Sequence, residues 1–250
     1  MTLDAAGILT AVRQSWRRDR SLLVPLSALF VFLPQYAVLL LIPPMPTVEA
    51  GAAVEAWSIA LEPWVTLYGT WYVAATLVAQ YGALAIVSLY MAPVPTTGGA
   101  MGRAARLFPR ALLAGMLVTL PCGVAALVSL SVPMLPVVVL PGIVYVLARS
   151  TLANPVILGE RGTGAVGAIA RSWQLTRGHG LAVALLVGAI TIGGQALGAA
   201  IVAVERGIRG GGLANPVLLA MIDALAAGIA WAAGLALALV QVALYRRLAR

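Results

Sequence analysis

Lysine is absent from this chain, and histidine and cysteine occur once each, as His179 and Cys122. A Walker phosphate loop requires a lysine, so the chain has no site of that kind. One histidine, one cysteine and eight carboxylates, most of them in the connections between apolar runs, provide no metal-ligand set, no intrachain disulfide and no nucleophile beside a base. The sequence therefore predicts no enzymatic activity, no cofactor and no metal site.

Charged residues are also scarce. They make up 10% of the chain, and hydrophobic residues make up 62%, whereas soluble domains are about 25% charged. The net charge of +8 comes from arginines scattered between long apolar runs, a pattern typical of charges that flank membrane spans. Anionic lipid headgroups, and not nucleic acid, are therefore the expected partners. The use of arginine alone, with abundant alanine and glycine, is typical of a GC-rich bacterial genome and predicts a bacterial inner-membrane protein.

Six apolar runs are long enough to cross a membrane, which takes about 20 helical residues. Only helices satisfy their own backbone hydrogen bonds in such runs, so residues 1–250 are predicted to form one all-α polytopic membrane bundle. The predicted spans are residues 22–42, 64–90, 111–132, 137–158, 181–204 and 217–245. The first run exceeds the roughly 7 to 15 apolar residues of a cleaved signal peptide, which predicts a retained span.

The arginines are distributed unevenly between the two sides of this predicted bundle. Thirteen of them precede span one, follow span six or lie in the connections on that same side. The opposite side holds Arg206 and Arg209, together with Glu49, Glu55 and Glu62. The positive-inside rule therefore predicts that both termini are cytoplasmic.

One cytoplasmic connection, residues 160–178, combines arginine and tryptophan at helical spacing. Apolar residues recur along one face up to Trp173, while Arg171 points elsewhere, which predicts an interfacial amphipathic helix. In this interpretation Arg171 and Arg177 reach lipid phosphates and Trp173 lies among the tops of the acyl chains. The alternative is that this helix packs on the bundle.

The N-terminal arm, residues 1–21, has the same character. Trp16 falls on an apolar face, while Arg13 and Arg17 share another face. We therefore predict a second cytoplasmic amphipathic segment in contact with lipid or with a partner protein.

Three glycines, Gly162, Gly164 and Gly167, match the G-x-G-x-x-G pattern of dinucleotide-binding folds. The required context is missing, since an apolar run of spanning length precedes the glycines and no βαβ alternation follows. The pattern therefore does not predict nucleotide binding.

Two charged residues fall inside predicted spans, Arg149 in span four and Asp223 in span six. A charge within a membrane is costly, so each is expected to face the bundle interior, and the obvious hypothesis is that they pair. The pair would either fix the helix register or take part in binding or moving a polar solute. The other polar residues within spans, Gln80, Gln195 and Gln241, look too few to form a hydrophilic path.

The segment ANPVILGERGTGAVGAIARSWQLTRGHG, residues 153–180, carries a Pro-Val run, then Glu160, then the pattern A-R-S-W-x-L-T-x-G. It resembles the membrane domain of glycerophosphoryl diester phosphodiesterases and stand-alone bacterial proteins like it. The resemblance implies a cytoplasmic connection between two spans. In full-length members a phosphodiesterase barrel follows the membrane part, but here the chain stops after span six, so no catalytic residue is carried over.

Two functions remain open on the sequence. The first is an accessory or scaffold protein that binds anionic lipid, and also a membrane or cytoplasmic protein partner, through its arginine-tryptophan helices. The second is a transporter or lipid-handling channel with Arg149 and Asp223 in its path.

Overall fold

The computed structural model of the protein describes residues 4–46, 54–91, 96–130, 134–210 and 215–249. Within these ranges all regular structure is helical, and six helical stretches are long and apolar enough to cross a membrane. The prediction of an all-α membrane bundle with six spans is confirmed. Glu49 and Arg250, which entered the orientation argument, lie outside the described residues. The α-helices are α1 Ala5–Ser27, α2 Leu33–Leu41, α3 Val54–Met91, α4 Thr97–Leu130, α5 Leu135–Ser150, α6 Ala153–Gly159, α7 Ala165–Leu175, α8 Gly180–Gly210 and α9 Pro216–Leu248.

The predicted N-terminal arm and the first span form one continuous helical stretch. A π-helical segment, Ala28–Phe32, joins α1 to α2, and the Leu33 N–H donates to the Ala28 carbonyl. Pro34 follows at once and has no N–H to continue the α-helical ladder. A Cβ atom added to Gly82 of α3 would overlap Phe30, so the π-helical segment packs directly on the α3 backbone.

Span four, predicted over residues 137–158, is two helices. Helix α5 ends at Ser150, a turn at residues 151–152 follows, and α6 begins at Ala153. Pro155 occupies the first turn of α6, where a missing N–H costs nothing, so the proline is accommodated by restarting the helix. Most of α6 is buried, including Val156 and Leu158, so this segment lies inside the protein.

Helix α9 lies at the centre of the bundle, in contact with α1, α2, α3 and α8. Its buried residues Leu235 and Leu239 join Leu84 of α3 and Leu23 of α1 in the largest hydrophobic cluster. Helices α8 and α9 pack closely at Gly194, where an added Cβ atom would lie 2.7 Å from the Ala233 Cβ atom of α9. Small residues at such an interface let helix backbones pack tightly in a membrane, where helices gain little from hydrophobic burial alone.

Candidate functional site

Long-range contacts bring several helix ends together at one end of the bundle. Arg247 of α9 donates to the Asp4 carbonyl at 3.0 Å, and Arg246 donates to the Tyr90 carbonyl at 2.6 Å. The Tyr90 hydroxyl in turn donates to Asp19 at 2.8 Å. The start of α1, the end of α3 and the end of α9 therefore lie side by side. Because arginines cluster here, this is named the arginine-rich end.

The carboxylates of the arginine-rich end are each paired with an arginine. The pairs that the structure describes are Asp19–Arg18 at 2.9 Å, Glu160–Arg171 at 3.1 Å and Asp4–Arg247 at 3.4 Å. The Gly7 N–H, with a smaller contribution from Arg247, lowers the pKa of the Asp4 carboxyl. Many further arginines at this end are exposed, so the surface carries a large excess of positive charge. They are Arg13, Arg17, Arg20, Arg106, Arg110, Arg161, Arg177 and Arg246.

A small cavity of about 220 Å³ opens at the arginine-rich end between α1, α3 and α9. Ser15, Tyr90, Arg246 and Arg247 supply its polar lining, and apolar residues such as Leu239 supply the rest. Two guanidinium groups thus lie beside an apolar wall, and they donate to the Tyr90 and Asp4 carbonyls.

Arg149 lies in the last turn of α5, where α7 holds its guanidinium group. The Arg149 Cζ atom lies 4.4 Å from the centroid of the Trp173 ring and 5.7 Å from that of Tyr145. Its Nε donates to the Thr176 hydroxyl at 3.1 Å, and its Nη2 donates to the Trp173 carbonyl. A cation at a helix C-terminus is also favourable to the helix dipole. The Arg149 charge therefore lies at the end of a helix, where it has hydrogen-bond partners, and not in the middle of a span.

Ser172 is the second residue that fixes α7. Its buried hydroxyl donates to the Arg149 carbonyl and accepts from the Leu152 N–H at 3.2 Å. Both backbone groups lie at the junction of α5 and α6. Backbone groups at helix ends lack hydrogen-bond partners within the helix, so the Ser172 hydroxyl supplies a partner to each. The Trp173 Nε1 adds a bond to the Ser150 hydroxyl at 3.0 Å. The serine, tryptophan and threonine of the R-S-W-x-L-T-x-G pattern therefore dock α7 onto the turn between α5 and α6.

The residues predicted to contact lipid or a partner lie in different environments. Arg171 is paired with Glu160, and Trp173 is half-buried over Arg149, so α7 packs on the bundle, the alternative that the sequence left open. Arg177 is exposed in the turn after α7.

In the N-terminal arm, Trp16 packs against the largest hydrophobic cluster, while Arg13 and Arg17 are exposed. Of the predicted contact residues, Arg13, Arg17 and Arg177 thus have the most accessible side chains.

The hypothesis that Arg149 pairs with Asp223 is wrong. Arg149 belongs to the arginine-rich end, whereas Asp223 lies two turns into α9 from the opposite end. Asp223 is buried, and the charged groups that act on it are Glu205 and Arg209 of α8. Glu205 is itself paired with Arg209 at 2.5 Å. Opposite ends of the bundle keep the two charges apart.

The glutamines that seemed too few for a hydrophilic path converge in space. Gln80 and Gln241 line a cleft of about 430 Å³ between α3, α4, α5, α6, α8 and α9. A second cavity of about 430 Å³, lined by Gln35 and Gln195, shares Thr191 and Leu237 with this cleft. No lining residue of either space carries a charge. Hydropathy along the chain reports each of these residues as an isolated polar position, so only the packing reveals that they meet.

A bundle of six membrane-length apolar helices with one arginine-rich end defines a multi-pass helical membrane protein. Comparison with protein-family models, with curated proteins and with solved structures finds no match for the chain. The resemblance of residues 153–180 to the phosphodiesterase membrane domain is neither supported nor contradicted by these comparisons and stays a prediction. Within the described ranges, no three histidine, cysteine or acidic side chains are grouped as metal ligands would be.

Proposed function

We propose that this chain is an accessory or scaffold protein of the bacterial inner membrane, without catalytic chemistry of its own, that binds anionic lipid at its arginine-rich end. The carrying observation is the excess of arginine there, since the described carboxylates of this end are already paired and many arginines remain exposed. Each basic residue near an anionic membrane surface contributes about 1 kcal/mol of attraction. The positive-inside rule then supports cytoplasmic termini.

The cavity beside Arg246 and Arg247 is the proposed seat of a bound headgroup. Guanidinium groups bind phosphate through two parallel hydrogen bonds, and the Ser15 hydroxyl offers a further polar contact. Leu239 on the apolar side suits the beginning of an acyl chain. Exposed Arg161 and Arg177 border α7 and form the proposed contact surface for a protein partner.

Native mass spectrometry of the protein, extracted gently from its own membrane, tests this function. Arg246→Gln/Arg247→Gln is expected to lose bound phosphatidylglycerol or cardiolipin, because the two charges of the cavity are removed. Arg106→Gln/Arg110→Gln is the charge-matched control at the same end, and it should retain this lipid. Equal lipid retention in the wild type and the Arg246→Gln/Arg247→Gln variant would contradict the proposal.

The same measurement reads protein partners. Arg161→Ala/Arg177→Ala removes exposed charge without touching the bonds that hold α7 in place. A co-purifying protein that is lost in this variant and retained in Arg106→Gln/Arg110→Gln would support the accessory role and identify the partner.

A lipid-handling channel is the second candidate function, and the two adjoining cavities favour it. Neither Arg149 nor Asp223 lines these cavities, so a path would follow uncharged side chains. Movement of a fluorescent lipid between the leaflets of vesicles containing the purified protein tests this candidate. Movement no faster than in protein-free vesicles would contradict it.

A further inference from the structure

We infer that the cleft between α3, α4, α5, α6, α8 and α9 binds an uncharged lipid whose head carries a hydroxyl group. The polar end of the cleft would receive that head, and the apolar wall would receive the acyl chains. This site is separate from the proposed headgroup cavity, which needs negative charge in its ligand.

The polar end of the cleft forms where three helices meet. Ser150 and Thr151 come from the end of α5, Asn154 from the first turn of α6, and Gln241 from α9. The Gln241 Nε2 donates to the Thr151 hydroxyl at 3.1 Å, which fixes both side chains at the cleft. Amides and hydroxyls both donate and accept, so together they match a hydroxyl group that does the same.

Apart from Gln80, Thr119 and Thr191, the remainder of the cleft is lined by apolar residues. Phe108, Leu112 and Val118 of α4 form one wall, and Leu147 and Val187 belong to the facing helices. The volume of about 430 Å³ falls within the range of roughly 300–1,000 Å³ that is usual for small-molecule sites. Because Gln80 is exposed at the border of the cleft, the space is open toward the surrounding membrane, from which a lipid can enter.

The absence of charge among the lining residues selects the class of ligand. A phosphate or carboxylate transferred into an apolar membrane site loses its hydration and requires a cationic partner. An uncharged head with a hydroxyl group requires only hydrogen bonds. The side chain of Asn154 makes no hydrogen bond to another described residue, so its amide is available for such a head without breaking a bond within the protein.

Gly115 allows the cleft to be closed with one substitution. It lines the cleft, and a Cβ atom added to it meets nothing within 4 Å. The Cβ atom of Gly115→Leu therefore has free space, and its side chain is expected to occupy part of the cleft. Gly123→Leu is the matched control, because Gly123 lies on the same helix, is equally open and does not line the cleft.

The experiment uses a photoreactive dioleoylglycerol analogue, with the reactive group in one acyl chain, in phosphatidylcholine vesicles containing the full chain. After irradiation, peptide mass spectrometry locates the label. We expect labelling of the cleft segments of α4 and α5 in the wild type and in Gly123→Leu, and its loss in Gly115→Leu. Unlabelled dioleoylglycerol should compete, whereas phosphatidylglycerol should not.

Replacing a polar lining residue by an apolar one distinguishes recognition of the lipid head from simple filling of the apolar cleft. Asn154→Leu keeps a side chain of similar size and breaks no hydrogen bond of the described structure, and it should weaken cleft labelling. Circular dichroism checks that each variant is folded. Cleft labelling that persists in Gly115→Leu, or label spread evenly over the lipid-facing helices, would overturn the inference. Equal competition by phosphatidylglycerol would likewise overturn the choice of an uncharged ligand.

Discussion

Replacing Ser172 by alanine should destabilise the protein far more than the loss of one oxygen atom suggests. The hydroxyl is completely buried and joins α7 to the turn between α5 and α6 through two hydrogen bonds. Its removal leaves the Arg149 carbonyl and the Leu152 N–H without this partner in a place that water does not reach. Since a buried polar group left unpaired costs about 1–3 kcal/mol, we expect a loss of roughly 2–4 kcal/mol in the free energy of unfolding.

Ser88 provides the matched control for this substitution. It is buried to the same extent, but its hydroxyl has no hydrogen-bond partner among the described residues. Ser88→Ala removes a buried hydroxyl that makes no hydrogen bond to a described residue, so the free energy of unfolding should be unchanged or slightly higher. The comparison holds residue type, burial and substitution constant, and only the bonding differs.

The assay is reversible unfolding in mixed detergent micelles with an increasing fraction of dodecyl sulfate, followed by far-ultraviolet circular dichroism. Amide hydrogen exchange over residues 150–180 provides the local measurement, because loosening of α7 should raise exchange there first. If Ser172→Ala is no more destabilising than Ser88→Ala, the Ser172 hydroxyl does not dock α7 onto the turn between α5 and α6.

Two further outcomes follow from the helix contacts. Gly194→Ala should lower the free energy of unfolding by about 1–3 kcal/mol, because its new methyl group would lie 2.7 Å from the Ala233 Cβ atom. Gly198→Ala is the control and should be neutral in the same assay, because a Cβ atom at Gly198 meets nothing within 4 Å. Arg149→Ala and Asp223→Ala should have additive effects, with a coupling energy below about 0.5 kcal/mol. A double variant substantially more stable than that sum would restore the hypothesis that the two residues pair.

The number of membrane spans and the all-helical class could be predicted from the sequence because the membrane imposes a simple rule. Apolar runs of spanning length must be helical to satisfy their backbone, whatever their neighbours are. The break in span four was missed because the apolar residues on both sides of it were counted as one run, although Arg149, Ser150 and Thr151 interrupt them. Pro155 marked a disturbance, but a proline within a run is compatible with a kink or with a new helix. Only the packing of α6 against α3, α4 and α7 decides between them.

The buried face of α7 shows a second limit of sequence periodicity. The apolar face that was predicted to end at Trp173 begins at Val166, yet the Val166 side chain is 69% exposed. The buried positions are Ala165, Ala168 and Ser172, which also share one helix face. Small side chains let α7 approach the bundle closely, and close approach brings the Ser172 hydroxyl within reach of the α5–α6 turn. Alanine and serine are only weakly hydrophobic or polar, so a search for apolar periodicity does not identify these positions as the buried face.

The motif and the cleft are connected through that turn. Helix α7 holds the turn by bonds from Ser172 and Trp173, and the same turn supplies Ser150 and Thr151 to the polar end of the cleft. In particular, the Trp173 Nε1 donates to the Ser150 hydroxyl, so a residue outside the cleft orients a polar group that lines it. The tryptophan that the sequence suggested as a lipid anchor therefore has a structural role that reaches the bundle interior. If the cleft binds an uncharged lipid, we expect the conformation of this motif and the occupancy of the cleft to be coupled, because both involve the same turn.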